Sequence, residues 1–422
     1  MQHSKYLIIG SSHAALEAVA AIRMQDPDGS LTLITRDKHL PYSPTVLPYV
    51  VSGRSQPDNI NLKDQAYFDL HAIEFIPGRK VEKIEPENHC VILDNGQQWQ
   101  YDKLLLATGA SPLIPPISGL DQTEFLVLRT LEDAIALRQA SSQAKKAIVL
   151  GAGLVGMHGA ENLAEAGLDV TVVEMQTQVL PGYFDPQAAG LIESAFSQHG
   201  VTMKMGHRAV RIEQQDNGCQ VELENGETLE ADLLLVSTGV KPVTDYCAGS
   251  GIETDQGILV DDHMATNQTD IWAAGDVTQA GDFYSNAQVV TGILPDAVEQ
   301  GRIAGMAMSE DPCLKSYNGG IPINTYTFYG QQAISVGVSD LSTGTLADCS
   351  EVELSVDTDN GFFQKIIFKD NQLQGISGIN AALDPGIMWQ LILRRIDLAD
   401  DKADFVAKPL ETGRRLMSRT WR

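Results

Sequence analysis

Apolar runs that stop at a glycine and resume as a helical pattern set the rhythm of this chain. The run KYLIIG predicts a strand over residues 5–10 and a helix over 12–25, and LTLIT predicts a second strand over 31–35. A Pro-rich loop, LPYSPTVLPYVVSG, follows from Leu40 to Gly53. Residues 72–102 alternate apolar and polar around an Asn95-Gly96 turn, which predicts a strand ladder. LLLATGASP closes this half at 104–112, and ISGL at 117–120 reads as a crossover linker. The programme then repeats. It brings a strand at 147–150, a glycine turn, a helix to about 166, a strand at 169–174, a helix at about 186–199 and a second ladder from His207 to Pro242. Similarity at a spacing of about 140 residues predicts two related doubly wound units.

From about residue 252 the pattern changes. Short strands lead to another glycine turn at Ala274-Gly275-Asp276, and a helix follows at about 295–309. The last hundred or so residues read as antiparallel strands (TYTFYG, AISVGVSD, FFQKIIFKD, QLQGISGIN) and a helix around GIMWQLILRRI, an α+β arrangement. That helix suits either an interface or a core. The tail ETGRRLMSRTWR is basic in an acidic protein, fit to dock on an acidic partner or to fold back on its own surface.

Composition narrows the class. The chain has 422 residues, enough for two or three domains, and 43% of them are apolar, as in ordinary globular proteins. No apolar run reaches the length of a membrane span. The chain enters a strand directly, with no basic stretch and apolar region before it, so no cleaved signal is expected. The net charge of −25 argues against nucleic-acid and anionic-membrane partners. A small acidic protein would dock only on a local basic patch. The cysteines Cys90, Cys219, Cys247, Cys313 and Cys349 are widely spaced, with no CxxC. They form no disulfide framework or cluster motif and suit buried thiols in a reducing cytoplasm; no metal site is expected.

Two glycine motifs carry the chemistry. A helix start reached through a glycine turn offers free N–H groups and a positive dipole end to a pyrophosphate. The first, Gly10-Ser11-Ser12-His13-Ala14-Ala15, is a degenerate G-x-G-x-x-G with Ser12 at the position of close backbone approach. The following strand ends Thr35-Arg36-Asp37, which makes Asp37 the candidate for an adenosine ribose or else a solvated loop carboxylate. The second motif is complete: Gly151-Ala152-Gly153-Leu154-Val155-Gly156, with Glu174 at the end of the next strand. Glu174 suits a ribose diol and would repel a 2′-phosphate, and no arginine follows in Met175-Gln176, so NAD is favoured over NADP. Two such sites suggest two dinucleotides with electrons passing between them.

With ATGASP (107–112), STGVKP (237–242) and IWAAGDV (271–277), these motifs give the chain a resemblance to the FAD- and NAD(P)-dependent pyridine nucleotide–disulfide oxidoreductase superfamily over its whole length. The resemblance implies an α/β fold with two doubly wound, Rossmann-like dinucleotide-binding domains and a C-terminal α+β domain. FAD-binding segments would be 1–117 and 246–320, the NAD-binding domain 118–245, and a C-terminal interface or partner-docking domain 321–422. FAD would meet Gly10, Ser12, His13, Ala14, Ala15, Arg36, Asp37, Pro44, Ala107, Thr108, Gly109, Gly275 and Asp276. The helix start at Pro295, Asp296 and Ala297 would face the isoalloxazine ring. NAD would meet Gly151, Gly153, Leu154, Val155, Gly156, Glu174, Thr238 and Gly239.

The departures from the family are informative too. Disulfide reductases of the superfamily carry cysteines after the second strand; the matching stretch here holds Ser43 and no cysteine, and no histidine follows His263. A thiol relay is therefore excluded. LPYSPTVLPY resembles the LPYxRPPLSK loop of reductases serving rubredoxin, ferredoxin or nitrite reductase modules. Tyr49 falls where those relatives have a lysine near the flavin, and His158 falls where they have its glutamate partner. Glu161, about one turn on, is the alternative contact for the nicotinamide, or else a solvated helix residue. His158 and His13 are as readily structural hydrogen-bonders as catalytic groups. The resemblance implies a flavoprotein passing electrons between NAD(H) and an iron–sulfur partner, in a hetero-oligomer or homodimer. A narrower resemblance is to the FAD subunit of a multi-subunit aldehyde or 2-oxoacid (phenylglyoxylate-type) oxidoreductase. A self-contained NADH oxidase or reductase of a small acceptor, and a non-enzymatic flavin-binding protein, remain the alternatives.

Overall fold

The structure is a computed structural model and describes residues 2–339 and 351–420. Cys349, Trp421 and Arg422 lie outside the described residues. The chain divides into two compact units. The first comprises Met1–Leu47, Ser55–Ser111 and Val240–Gly320; the second comprises Pro48–Arg54, Pro112–Gly239 and Ile321–Arg422.

The first unit is built on a seven-stranded sheet. Ile73–Ile76, Leu31–Ile34, Gln2–Ile9, Gln98–Leu106 and Ile271–Ala273 run parallel, and the antiparallel pair Cys90–Leu93 and Val81–Glu85 extends one side. Leu7, Ile8 and Ile9 are buried in succession, which marks a strand covered on both faces. Residues 73–76 pair with Leu31–Ile34 rather than joining the ladder expected over 72–102, because alternation reports one covered face and says nothing of the neighbour.

The helices His13–Gln25 and Leu294–Met308 pack against each other. A Cβ at Gly301 would stand 2.2 Å from the Ala14 carbonyl oxygen, and one at Gly305 would stand 2.5 Å from that of Ala18. Only glycine permits this backbone-to-backbone approach.

The second unit holds a parallel sheet in the order Thr202–Met205, Asp169–Glu174, Lys146–Leu150, Leu233–Val236, and a three-stranded antiparallel sheet from Ala209–Gln215, Gly218–Leu223 and Thr228–Ala231. Its C-terminal part is a five-stranded antiparallel sheet that includes Glu351–Asp357, a strand absent from the sequence reading although Val352, Leu354 and Val356 alternate with polar residues; all three are exposed. The helix Pro385–Leu393 buries Met388, Leu391 and Ile392 against this sheet, so it belongs to the core. The basic tail is a helix, Pro409–Thr420, that folds back: Arg415 pairs with Asp401 (2.6 Å) and Asp404 (3.1 Å), and Arg419 with Asp401 (3.4 Å).

Side-chain caps define several helix starts. Thr130 and Asp133 form a reciprocal capping box on Leu131–Ser141, a helix absent from the sequence reading. Asp185 accepts from the amides of Gln187 and Ala188 to start Pro186–Gln198. The same carboxylate accepts from Lys365 Nζ at 3.1 Å, tying that helix to the C-terminal sheet through a mostly buried ion pair.

Candidate functional site: two glycine-turn cradles

In the first unit, Gly10 turns with φ +118°, and a Cβ there would lie 2.0 Å from the Ala107 carbonyl oxygen. The turn is thus pressed against the loop Ala107–Gly109. The helix His13–Gln25 then begins at Ser12 with no side-chain cap and no acid in its first turn. First-turn amides without a side-chain acceptor, at the positive end of a helix, suit a pyrophosphate, and the buried Ala14 and Ala15 let the backbone come close. Gly275 (φ +82°) closes the same region: its Cβ would lie 3.2 Å from that of Ala14, and its amide donates to Gln300 Oε1 at 2.9 Å. Gln300 is buried and also accepts from Thr278 Oγ1. Sequence reasoning missed Gln300; its signal is a lone amide on the apolar face of the helix that follows the glycine turn.

Several candidates in this unit are already committed to protein partners. His13 Nε2 lies 2.9 Å from Ser43 Oγ, and burial lowers its pKa. Asp37 accepts from the Tyr42 hydroxyl (2.6 Å) and the His39 amide (3.0 Å), and exposed Arg36 donates to Ser111 Oγ (3.0 Å). Thr108 Oγ1 donates to the Val243 carbonyl, with the Tyr246 hydroxyl 2.7 Å away. Pro44 opens the short turn Pro44–Val46. Asp276 is half-buried beside the glycine turn. Pro295, Asp296 and Ala297 form the first turn of Leu294–Met308, and Asp296 and Ala297 are buried. The Asp296 carboxyl is pushed up to about 7, first by burial, against the opposing pull of the Tyr317 and Thr291 hydroxyls.

The second unit repeats the device in fuller form. Gly151 (φ +103°) would drive a Cβ to 2.5 Å from the Ser237 carbonyl oxygen, and Gly156 would drive one to 2.0 Å from the Gly151 carbonyl oxygen. Gly153 caps the helix Leu154–Glu165 with no side-chain bond, and its missing Cβ looks into open space. That opening is where a diphosphate backbone has room. Glu174 is buried at the end of its strand; Oε2 accepts from the Ala152 amide and Oε1 from the Gln176 amide, each at 2.8 Å. The carboxylate is thereby anchored to the glycine loop. Thr238 Oγ1 donates to the Leu113 carbonyl, and Gly239 (φ +113°) has open space before it. Val155 is exposed, and Leu154 is partly so.

Glu161 and His158 share the helix Leu154–Glu165, and Tyr49 lies in the short helix Leu47–Val51. Glu161 is neither solvated nor free: it is buried, and Oε1 accepts from the Tyr329 amide at 2.7 Å. Tyr329 sits in the hairpin turn of the C-terminal sheet at φ +46°, its ring stacked on His199 at 3.8 Å. His158 meets the edge of Tyr326 at 4.7 Å, and burial holds its pKa down to about 4, so its ring is neutral at ordinary pH. Both residues join the glycine-turn helix to the C-terminal sheet. Tyr49 is 44% exposed and lies in Pro48–Arg54, which is fastened to the same helix by Asn162 Nδ2 donating to the Pro48 carbonyl (2.9 Å) and by Arg54–Glu165 (3.1 Å). Among the described residues, Cys90, Cys219 and Cys247 are buried free thiols and Cys313 is an exposed one. Burial raises Cys219 to about 11 and Cys247 to about 12, far from a reactive thiolate.

Comparison with known proteins agrees with this geometry. The chain is 53% identical over 423 residues, covering 100% of itself and 99% of its relative, to the NADH-dependent phenylglyoxylate dehydrogenase subunit epsilon of Aromatoleum evansii. It is 31% identical over 279 residues to the 3-phenylpropionate/cinnamic acid dioxygenase ferredoxin–NAD(+) reductase component of Photorhabdus laumondii, covering 66% of this chain and 70% of that one. Among solved structures, a ferredoxin reductase from Rhodopseudomonas palustris superimposes with a TM-score of 0.81 at 25% identity, over 93% of this chain and 100% of that one. The family model described as pyridine nucleotide-disulphide oxidoreductase matches residues 4–301, and the chain belongs to this family.

Proposed function

We propose that this chain is the flavin subunit of a multi-subunit dehydrogenase and passes electrons between NAD(H) and an iron–sulfur partner subunit. As an oxidoreductase of its family it takes FAD and NAD(H). The observation that carries the proposal is the pair of uncapped helix starts, each behind a glycine turn, of which only the second is backed by a buried carboxylate tied to its own loop. Gly10, Ala14 and Ala15 would receive the FAD pyrophosphate, with Gly275 and the first turn of Leu294–Met308 bordering the flavin. Gly151, Gly153 and Gly156 would receive that of NAD, with Glu174 on the ribose. FAD accepts a hydride as a pair of electrons and releases them singly, which suits an iron–sulfur acceptor.

No thiol takes part: the stretch between Leu40 and Gly53 offers Ser43, and that hydroxyl is bonded to His13 and Thr45. The 53% identity along the full length favours a 2-oxoacid substrate of the phenylglyoxylate kind for the assembled enzyme. A cytoplasmic setting belongs to the same reading. Among the described residues, no helix is long and apolar enough to cross a membrane.

Anaerobic titration of the purified yellow protein with NADH tests the proposal. Rapid bleaching of the flavin's visible absorbance, slow reoxidation by air and fast reoxidation by a ferredoxin are expected. Fast turnover with air alone would favour a self-contained oxidase. Absence of bleaching with FAD bound would overturn the reading.

A further inference from the structure

The helix Leu294–Met308 carries an acid where its dipole is most positive. Asp296 lies in the first turn, 5% exposed, and its Oδ2 has no hydrogen-bond partner. The site is closed around it. Gly320 passes so near that a Cβ there would stand 2.2 Å from this oxygen and 2.7 Å from Thr291 Oγ1. Tyr317, itself buried, stands beside it with its hydroxyl turned to the carboxyl. The charged groups that act on Asp296 are Glu299 on its own helix and Asp276 beside the glycine turn, and both are acids. The carboxylate therefore has the helix dipole and two hydroxyls in its favour, and burial and two like charges against it.

A buried acid so placed competes with any second anion brought to the same helix end. Two negative charges at one helix terminus repel, and in a water-poor site the cheapest relief is a proton on the carboxyl. We propose that Asp296 is a redox-linked proton site: its carboxyl takes one proton from solvent when negative charge is added at the neighbouring flavin and returns it when that charge leaves. This rests on the reading that the first turn of Leu294–Met308 borders the flavin. The balance closes. A hydride from NADH brings two electrons and one proton and adds one negative charge, NAD⁺ departs, and a solvent proton converts the Asp296 carboxylate to the acid. When two electrons pass singly to the acceptor, the hydride's proton and the Asp296 proton both return to solvent. Asp296 is a charge-compensating residue, and its side chain makes or breaks no bond of the substrate.

The test is anaerobic redox potentiometry of the holoprotein from about pH 6 to about pH 9, with the flavin spectrum recorded at each point. In the wild type, proton uptake should rise from one to two per two electrons as pH passes about 7, where the oxidised protein has already lost the Asp296 proton. Asp296→Asn, nearly isosteric, should show one throughout, with flavin still bound. Thr291→Val removes a hydroxyl that favours the charged form, and should move the break to higher pH. It serves equally if Asp296→Asn does not fold. An Asp296→Asn protein with altered flavin spectrum or potential but the wild-type proton count would overturn the proton role while leaving the flavin reading standing. Spectrum, potential and proton count all unchanged in both variants would overturn the placement of the flavin, and the proton site with it.

Discussion

Glu174→Ala separates the work of this carboxylate on the fold from its work on NADH. Its two oxygens hold the amides of Ala152 and Gln176, each at 2.8 Å. Gln176 is exposed, so its amide turns to water when the carboxylate is lost; Ala152 is fully buried and its amide is orphaned. An orphaned buried donor costs about 1–3 kcal/mol, so the fold should lose about 2 kcal/mol. Hydrogen bonds to a charged acceptor are worth about 1.5–3 kcal/mol, and at about 1.4 kcal/mol per tenfold the loss of those to the ribose hydroxyls should weaken NADH binding about 10- to 100-fold. Glu174→Gln keeps an acceptor for the Ala152 amide and should recover most of the stability but not the affinity. The assay is NADH binding by calorimetry beside urea unfolding and the flavin-to-protein absorbance ratio. The flavin ratio should not move. Flavin lost in step with NADH affinity, or an affinity equal to wild type, would refute the assignment of this cradle to NAD.

Three further outcomes follow from the geometry. Glu174→Ser with Met175→Arg should lower the NADPH-to-NADH ratio of KM by about tenfold or more, because position 175 is 64% exposed and an arginine there can grip a 2′-phosphate; an unchanged ratio means another residue reads the ribose. Gly301→Ala should destabilise the protein and lower its flavin content, since overpacking costs about 1–3 kcal/mol and the new methyl meets the Ala14 backbone 2.2 Å away; a fully yellow, equally stable variant contradicts it. His158 is held neutral with its pKa at about 4, below the unfolded value of about 6.5, so the unfolded chain takes the proton first and stability falls as pH drops between those values, by at most about 3 kcal/mol. His158→Phe keeps the ring contact with Tyr326 and should flatten urea midpoints across that window; an unchanged pH dependence rules out His158 as its source.

What could be read from the chain alone was local. The glycine turns at Gly10 and Gly151, the strand that ends at Glu174 and the helix after Ile293 each announce themselves within a few residues, because a positive φ demands glycine and a covered strand demands an apolar run. The capping box at Thr130 is equally local, Thr-Leu-Glu-Asp, yet the helix it opens, Leu131–Ser141, is absent from the sequence reading. Glu161 was not legible. Its partner, the Tyr329 amide, is 168 residues away, and nothing near a glutamate tells whether a distant hairpin turn will cover it. Lys365 and Asp185 pair across 180 residues, and the crossing at Gly301 depends on Ala14. Contacts of this kind follow from topology. The cradles, set by the turns themselves, were legible, while the clamps that hold Glu161 and Asp185 were not.

The chain passes between its units at 47/48, 54/55, 111/112, 239/240 and 320/321. On the ribosome this order has a consequence. The nucleotide cradle at Gly10 emerges first, but the strand Ile271–Ala273 and the helix Leu294–Met308 that complete its unit emerge only after residues 112–239 have been made. The nascent amino-terminal sheet must wait, with one face of His13–Gln25 uncovered, while the other unit's glycine-turn sheet is already fully synthesised. With FAD in the Gly10 cradle as proposed, flavin capture would be a late event in biogenesis, and a chain arrested before Leu294 should be colourless and bound by chaperones.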